Sequence, residues 1–370
     1  MKNSLTFGFL TLALLLTGEA ASADSQYINL KADLRFRTEN IKEEQVAPLA
    51  TSDRTRQRIR MRLTASGRAN DTTEGFVRVS TGSNLNTDAT TTNQDLTDYY
   101  AKKNLVIDMA YVNWKPDDSF VAMAGKTPIP FYLAGGSDLI FDADLTPEGL
   151  SFKYNPKFES GMELFFNGSA TWLQERFSAT GATDNTDVGL VGGQIGTSYK
   201  GESWNATLAL ATYNFSNIKG ATAPAAKGNT LTAGAYAKDY KLTSIDLELG
   251  TKLAEVPLVV FGETVTNSEG GDYKNGVIYG VKFGKLKDKG NWALSIDDRE
   301  LEKDSTVGIL ADSDSSGGGA DIHSTRVSGG YQLADNANIS ATLFSGKKAL
   351  SSTTFSPAYT RAQLDFNLAF

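Results

Sequence analysis

The chain has 370 residues, with 36 Lys and Arg against 43 Asp and Glu, one histidine, no cysteine and a net charge of -7. The acid excess argues against nucleic acid as a partner, the absence of cysteine excludes a disulfide framework, and the single His323 leaves little room for metal or triad chemistry, so neither a cofactor nor an enzymatic activity is expected. A hydrophobic share of 40% and a mean hydropathy of -0.27 look soluble on average, yet a membrane β-barrel hides its signal in alternation instead of apolar runs.

At the start, Lys2 precedes an apolar run from Leu5 to Leu16, and Ala21-Ser22-Ala23 has the small-residue pattern of a secretory cleavage site. Residues 1–23 are read as a signal peptide and residues 24–370, from Asp24 onward, as one barrel domain. The run is shorter than the roughly 20 residues of a membrane helix, and no later stretch is long and apolar enough to be one.

Sixteen strands follow, each an alternating segment bounded by turn residues. They run Tyr27 to Glu39, Arg54 to Ser66, Glu74 to Thr81, Asn104 to Lys115, Ser119 to Lys126, Glu148 to Asn155, Gly161 to Glu175, Val188 to Tyr199 and Ser203 to Phe215, then Leu231 to Thr251, Val256 to Asn267, Tyr273 to Phe283, Asn291 to Leu301, Ile322 to Leu333, Asn338 to Gly346 and Ala358 to Phe370. Leu231 to Thr251 is read as one long strand, because Leu231, Ala233, Ala235, Ala237, Thr243, Ile245, Leu247 and Leu249 keep one parity and a break near Asp239 would make the count odd. The pattern predicts an all-β, antiparallel, up-and-down transmembrane barrel with short periplasmic turns and long outer loops. Two of those loops, around Thr90-Thr91-Thr92 and Ser313 to Gly319, are low-complexity and read as mobile.

On the second strand, Arg54, Arg56, Arg58, Arg60 and Arg62 recur at spacing two and share one face. The ladder runs roughly 26 Å at a strand's rise, and each arginine turned to lipid at mid-depth costs about 2–4 kcal/mol, so the ladder must face water. Arg35 and Arg37 have the polar parity on the first strand and Arg78 on the third. Closure brings Arg361 of the last strand beside the first, with Arg326 placed one strand farther round, so a basic wall is predicted. The plainer alternative is a merely solvated wall, or pairing with neighbours such as Asp33 and Asp108.

The third outer loop, Thr127 to Pro147, is unusually apolar. Phe131, Tyr132, Leu133, Leu139, Ile140 and Phe141 are a liability in solvent, so the loop is expected to dock inside the barrel and carry Asp138, Asp142, Asp144 and, at its end, Glu148 into a constriction. Trp114, Trp172, Trp204 and Trp292, with Tyr111, Tyr154, Tyr279 and Tyr331, are placed near strand ends or on lipid parity, as interfacial anchors. Asp312, Asp314 and Asp321 surround a Ser/Gly tract and are read as a solvated loop in preference to a cation site that bridges lipopolysaccharide. The final residues alternate cleanly, and Phe366, Leu368 and Phe370 read as the C-terminal signal for the barrel-assembly machinery.

Signal peptide, sixteen strands, terminal Phe370, acidic third loop and arginine cluster together resemble a Gram-negative general porin. The segment Gly125-Lys126 through Pro147-Glu148-Gly149-Leu150, with Ala110-Tyr111-Val112-Asn113-Trp114 before it, is similar to the "putative porin" family of proteobacteria. The resemblance implies a homotrimer in the outer membrane, in contact with lipid and lipopolysaccharide. It also implies an inward-folded third loop and a transverse field between Arg56, Arg58, Arg60 and the acids Asp138, Asp142, Asp144, although the enterobacterial loop motif is absent. The expected function is passive diffusion of ions and small hydrophilic solutes with mild anion preference. The alternatives are a selective channel for phosphate- or carboxylate-type anions and an adhesive or structural barrel.

Overall fold

The computed structural model describes residues 28–370 apart from residues 47, 48, 98, 157, 159, 160 and 177–185. The predicted signal segment 1–23 and Tyr27 lie outside the described residues. The barrel strands are β1 (Ile28–Glu43), β2 (Ser52–Asn70), β3 (Thr73–Thr81), β4 (Leu105–Trp114), β5 (Phe120–Lys126), β6 (Glu148–Tyr154), β7 (Met162–Gln174) and β8 (Val188–Lys200). They continue as β9 (Trp204–Ser216), β10 (Tyr240–Leu253), β11 (Val256–Asn267), β12 (Asn275–Gly284), β13 (Trp292–Leu301), β14 (Ile322–Ala334), β15 (Ala337–Lys348) and β16 (Ala358–Ala369).

Each strand pairs antiparallel with its neighbours in sequence, and β16 pairs with β1 from Asp33 opposite Ala369 to Glu43 opposite Tyr359. The seam is pinned at its end by reciprocal backbone bonds, Ala32 N–H to Phe370 O at 2.7 Å and Phe370 N–H to Ala32 O at 2.9 Å. The closed sheet leaves no edge, the one way a sheet satisfies its backbone in hydrocarbon. Alternation sorts the faces as expected: Leu34, Phe36, Leu208, Leu210, Ile245, Leu247, Leu364 and Phe366 are exposed on the outside, while Arg37, Tyr213, Asp246 and Arg361 are buried inside.

All the predicted strands except the tenth coincide with these to within a few residues at each end. The tenth is a correction. Leu231–Thr232 and Ala235–Tyr236 form their own small hairpin, turned at Ala233 (φ 50) and Gly234 (φ 82) and bonded to Gly220, Ala221 and Ala223 of the fifth outer loop. β10 begins only at Tyr240. Two consecutive residues with positive φ suit a two-residue hairpin turn, and the shared odd parity across the break is coincidental. The count stays even because the hairpin pairs with itself.

A second difference lies at Tyr111. A register shift between Arg78 and Val79 turns this ring off the lipid side. It stacks on Phe76, with ring centroids 4.8 Å apart, opposite the exposed Val112 and Trp114.

The apolar core sits within the lumen, where the third outer loop lies against the inner wall. Phe131 and Phe141 meet Tyr213 edge-on, at 4.9 and 5.1 Å between centroids, and Leu139 and Ile140 are buried. The loop backbone is then tied down by wall side chains. The N–H groups of Tyr132, Ala134 and Gly135 donate to Gln194 (2.7 Å), Asp246 (3.0 Å) and Glu248 (2.7 Å), and the Lys282 ammonium donates to Gly135 O. Such partners are required for a backbone buried away from water.

The loop turns at Gly135, where φ is 60° and an added Cβ falls 2.3 Å from the Phe261 ring. Gly135→Ala therefore meets both a left-handed backbone, costing a non-glycine residue about 1–3 kcal/mol, and a steric clash. The expected outcome is a lowered thermal midpoint together with altered single-channel conductance, read by a heating gel-shift series and a planar bilayer. Wild-type values in both would mean that the loop is not seated on Phe261.

Candidate functional site

The register of β16, β1 and β2 sets arginine against arginine, with Arg37 opposite Arg58 and Arg35 opposite Arg60. Like charges directly opposite on one face repel, and the structure places carboxylates between them. Asp33 accepts from Arg60 (2.9 Å) and Arg62 (2.8 Å). Glu39 holds Arg361 (2.6 Å) and Arg56, with Arg58 at 3.8 Å. Asp365 holds Arg37 at 2.7 Å and lies 3.9 Å from Arg35, which also donates to Asn367.

Two further anions come from loops. Asp95 pairs with Arg54 (2.7 Å), Arg56 (3.1 Å) and Arg58 (2.8 Å), and is brought there by a short second-loop pairing of Gln94–Asp95 alongside Ile59 and Arg58 of β2. Asp314 of the seventh outer loop pairs with Arg37 (3.3 Å) and Arg361 (2.9 Å). With Asp144, 3.8 Å from Arg62, eight guanidinium groups share six carboxylates.

Arg78 stands apart from this lattice, paired with Asp108 on the neighbouring strand. Arg326 is a correction: it lies on β14, two strands before β16 and outside the wall, where it pairs with Asp297 (2.7 Å) and Asp138 (3.3 Å). Its cluster contains Arg299, fully buried among Asp138 (2.6 Å), Asp312 (2.9 Å) and Asp297 (3.2 Å). Sequence reading did not single out Arg299. The signal was its shared parity with Asp297 on β13, opposite the outward Leu294 and Ile296.

The expected opposition of Arg56, Arg58 and Arg60 to the third-loop acids is not what the geometry presents. Asp138 belongs to the Arg299 cluster. Asp142 touches no cation among the described residues and instead accepts backbone N–H bonds from Asp144 (2.8 Å) and Ser313 (3.0 Å). Asp144 accepts from the N–H and hydroxyl of Thr92 (3.3 and 3.2 Å). Glu148 opens β6 with an exposed side chain on Lys126 (2.8 Å) and so stays out of the constriction. Acids one strand away, or on the second and seventh loops, reach the ladder first.

The two low-complexity loops read as mobile are instead packed. Thr90, Thr92, Ser315 and Ser316 are buried, Asp312 N–H donates to Asp138 O (3.1 Å), Asp142 N–H donates to Leu310 O (2.8 Å), and the Ser313 hydroxyl donates to Thr90 O (3.1 Å). Asp312, Asp314 and Asp321 are thus structural partners rather than a solvated loop. Asp321 accepts from Ser351 N–H (2.8 Å) and hydroxyl (2.9 Å). The lumen is crossed by a joined third and seventh loop.

His323 Nε2 lies 3.2 Å from Asp298, on the outward parity of β14 and β13. Among the described residues no group of three His, Asp or Glu side chains is arranged to hold a metal. Phe366 and Phe370 are exposed on the outside, and Leu368 lies opposite Leu34 in the seam.

Burial and the neighbouring Asp312 push the Asp142 carboxyl up to about 9. Burial also works to raise Asp138 and Asp314, but Arg299 and Arg326 hold the first below the ordinary carboxylate range, and Arg361 and Arg37 hold the second well below it. One loop junction thus contains a proton-holding acid beside two ionised ones.

A family model described as "Putative porin" matches residues 17–250. No curated protein matches the chain. Among solved structures, OprB of Pseudomonas putida is similar at a TM-score of 0.60 and 11% identity, over 98% of this chain and 97% of that one. OmpF of Salmonella typhi, solved with daunomycin, gives 0.53 and 10%, over 93% and 97%. The outer membrane channel DcaP of Acinetobacter baumannii gives 0.52 and 13%, over 93% and 97%. At these identities the structural likeness concerns the fold alone.

The carboxyl pKa values set a pH window for the loop junction. Asp142 binds its proton more tightly folded than unfolded, so its contribution is full below about pH 4, the ordinary carboxyl range, and is lost as pH rises toward about 9. Asp138 and Asp314 have the opposite sign and lose their contribution as pH falls below about 4. The thermal midpoint is expected to fall between pH 6 and 9, with a shallower fall in Asp142→Asn. Identical slopes for the two proteins in a pH series of melting curves would rule out Asp142 as the source.

Proposed function

Because this chain belongs to the "putative porin" family, whose model matches well over half of it, we propose that it is a passive diffusion porin whose arginine wall lends it a mild preference for anions. As a porin it is an outer-membrane channel for solutes and not a catalyst. The finer reading rests on one observation: eight guanidinium groups share six carboxylates along β16, β1 and β2. A surplus of fixed positive charge beside a water-filled path raises the local concentration of anions and lowers that of cations.

A selective site for a phosphate- or carboxylate-type solute is the weaker reading. Such a site needs guanidinium forks free for two-point contact, and the wall arginines already hold carboxylates, Arg37 through both Nε and Nη2 on Asp365 at 2.7 and 2.8 Å. An adhesive barrel depends on loops projecting into solvent, whereas the third and seventh loops and the Thr90–Asn93 part of the second are packed inward. The proposal extends to the signal peptide over residues 1–23, a mature barrel over 24–370, a homotrimer, contact with lipopolysaccharide, and assembly through Phe366, Leu368 and Phe370.

The test is the reversal potential of single channels across a KCl gradient, for the wild type and for Arg58→Ser with Arg60→Ser. This pair is informative because no carboxylate is orphaned: Glu39 keeps Arg56 and Arg361, Asp95 keeps Arg54 and Arg56, and Asp33 keeps Arg62. The variant is expected to fold, to conduct, and to lose the anion preference, since its remaining wall charges balance. Equal reversal potentials in both proteins would sink the role of the wall, and correctly folded protein without current would sink the porin reading itself.

A further inference from the structure

Between the third loop and the barrel wall at β4, β7 and β8 lies a chamber of about 780 Å3 that reaches the outward Ile107 and Trp172 and has no arginine among its described lining residues. Its lining is mixed, with polar second-loop residues such as Asn84 and Thr92 on one side and a stretch of apolar wall on the other, where a diffusion channel asks for polar groups. Val188 and Leu190 occupy the lumen parity of β8, opposite the outward Val191 and Ile195, and Leu145, Ile309 and Leu310 close the chamber from the third and seventh loops. This apolar surface does nothing for a hydrated ion. A cavity of some 300–1,000 Å3 with apolar walls and a few placed charges is the usual form of a small-molecule site.

The charges around it have one sign in excess. Asp88, Asp108, Asp144 and Glu148 line the chamber against the single ammonium of Lys126. Glu148 is taken by Lys126 and Asp108 by Arg78. Asp144 accepts from Thr92 and has its nearest cation, Arg62, at 3.8 Å. Asp88, on the second loop, makes no ion pair among the described residues, although it lies in the field of the Lys227 ammonium. A chamber with an apolar stretch of wall and a carboxylate that makes no close ion pair complements a molecule with an apolar body and one positive head.

We infer that this chamber is a binding site for small amphipathic cations, of the aryl- or alkylammonium class, entered from the side of the long loops. The inference rests on the porin reading, since it makes the chamber a stopping place beside the permeation path. The body of the ligand lies against Leu145, Val188, Leu190 and Leu310, and its ammonium group lies toward Asp88. The chamber holds no arginine of its own and meets the arginine wall only at Asp144, so the ammonium group is placed at Asp88, away from that shared carboxylate.

The probe is 2-phenylethylammonium, with 3-phenylpropionate as the same body of opposite charge and ethylammonium as the head without the body. Added on the loop side of a planar bilayer, 2-phenylethylammonium is expected to interrupt the current at lower concentration than either control. Asp88→Asn is expected to raise its half-blocking concentration about two- to fivefold, the range for one partly exposed charge pair, while Asp88→Glu retains the wild-type value. Leu310→Ala is expected to raise it about tenfold or more, because truncating the leucine removes three carbons from the apolar surface that the ligand's body covers.

Equal block by all three probes, or block insensitive to both Asp88→Asn and Leu310→Ala, would overturn the site while leaving the porin reading intact. Titration calorimetry on the folded protein in detergent reads the same affinity without any need for current. If no channel steps occur, the porin reading fails, and heat of binding that depends on Asp88 still supports the chamber. The absence of both heat and block refutes it.

Discussion

The demand that every backbone N–H and C=O find a partner in a medium without water governs this molecule. It is met by joining β16 to β1, from Asp33 opposite Ala369 to Glu43 opposite Tyr359. A sheet of this many strands closes around a lumen too wide for its own side chains to fill, so the interior must be furnished with water, charge and loops. The period-two alternation that greases the outside with Leu34, Phe36 and Phe366 also puts arginines inside.

Charge inside such a lumen is held in a lattice. Two cations of one strand face two of the next, and Asp33, Glu39 and Asp365 are interleaved so that each touches guanidinium groups on neighbouring strands. Removing one partner of a buried pair typically costs about 3–5 kcal/mol because the other charge is stranded. Here most anions have more than one cation, which spreads that risk. Away from the wall, Arg299 and Arg326 are outnumbered by Asp138, Asp297 and Asp312, and Asp246 accepts from the third loop's backbone at Ala134. The lumen therefore has a positive side and a negative side, though the negative one is built from residues other than the acids that sequence reading nominated.

The loops act as a single piece of furniture. The third loop is greasy enough to need burial and buries itself on Tyr213 and Phe261. The seventh then docks on it through Leu310, Asp312 and Ser313 and reaches the arginine wall through Asp314. The chamber beside β8 is a by-product of that docking, since Leu145 of the third loop and Ile309 and Leu310 of the seventh close it together.

What the sequence by itself determined is whatever follows from local period. Alternation placed all the strands but one, put the ladder from Arg54 to Arg62 on the water side, and marked the third loop as too apolar for solvent. It failed at Leu231 to Thr251, where a two-residue turn preserved parity by chance. Only the tertiary structure decided which charges meet. Arg37 and Asp314 are 277 residues apart and Arg361 and Glu39 are 322 apart, and no local pattern specifies a contact made by closure of the sheet and docking of its loops. The same holds for Arg299, an ordinary inward residue on its strand that became a buried hub only because Asp138 and Asp312 were carried to it by two loops folding into one lumen.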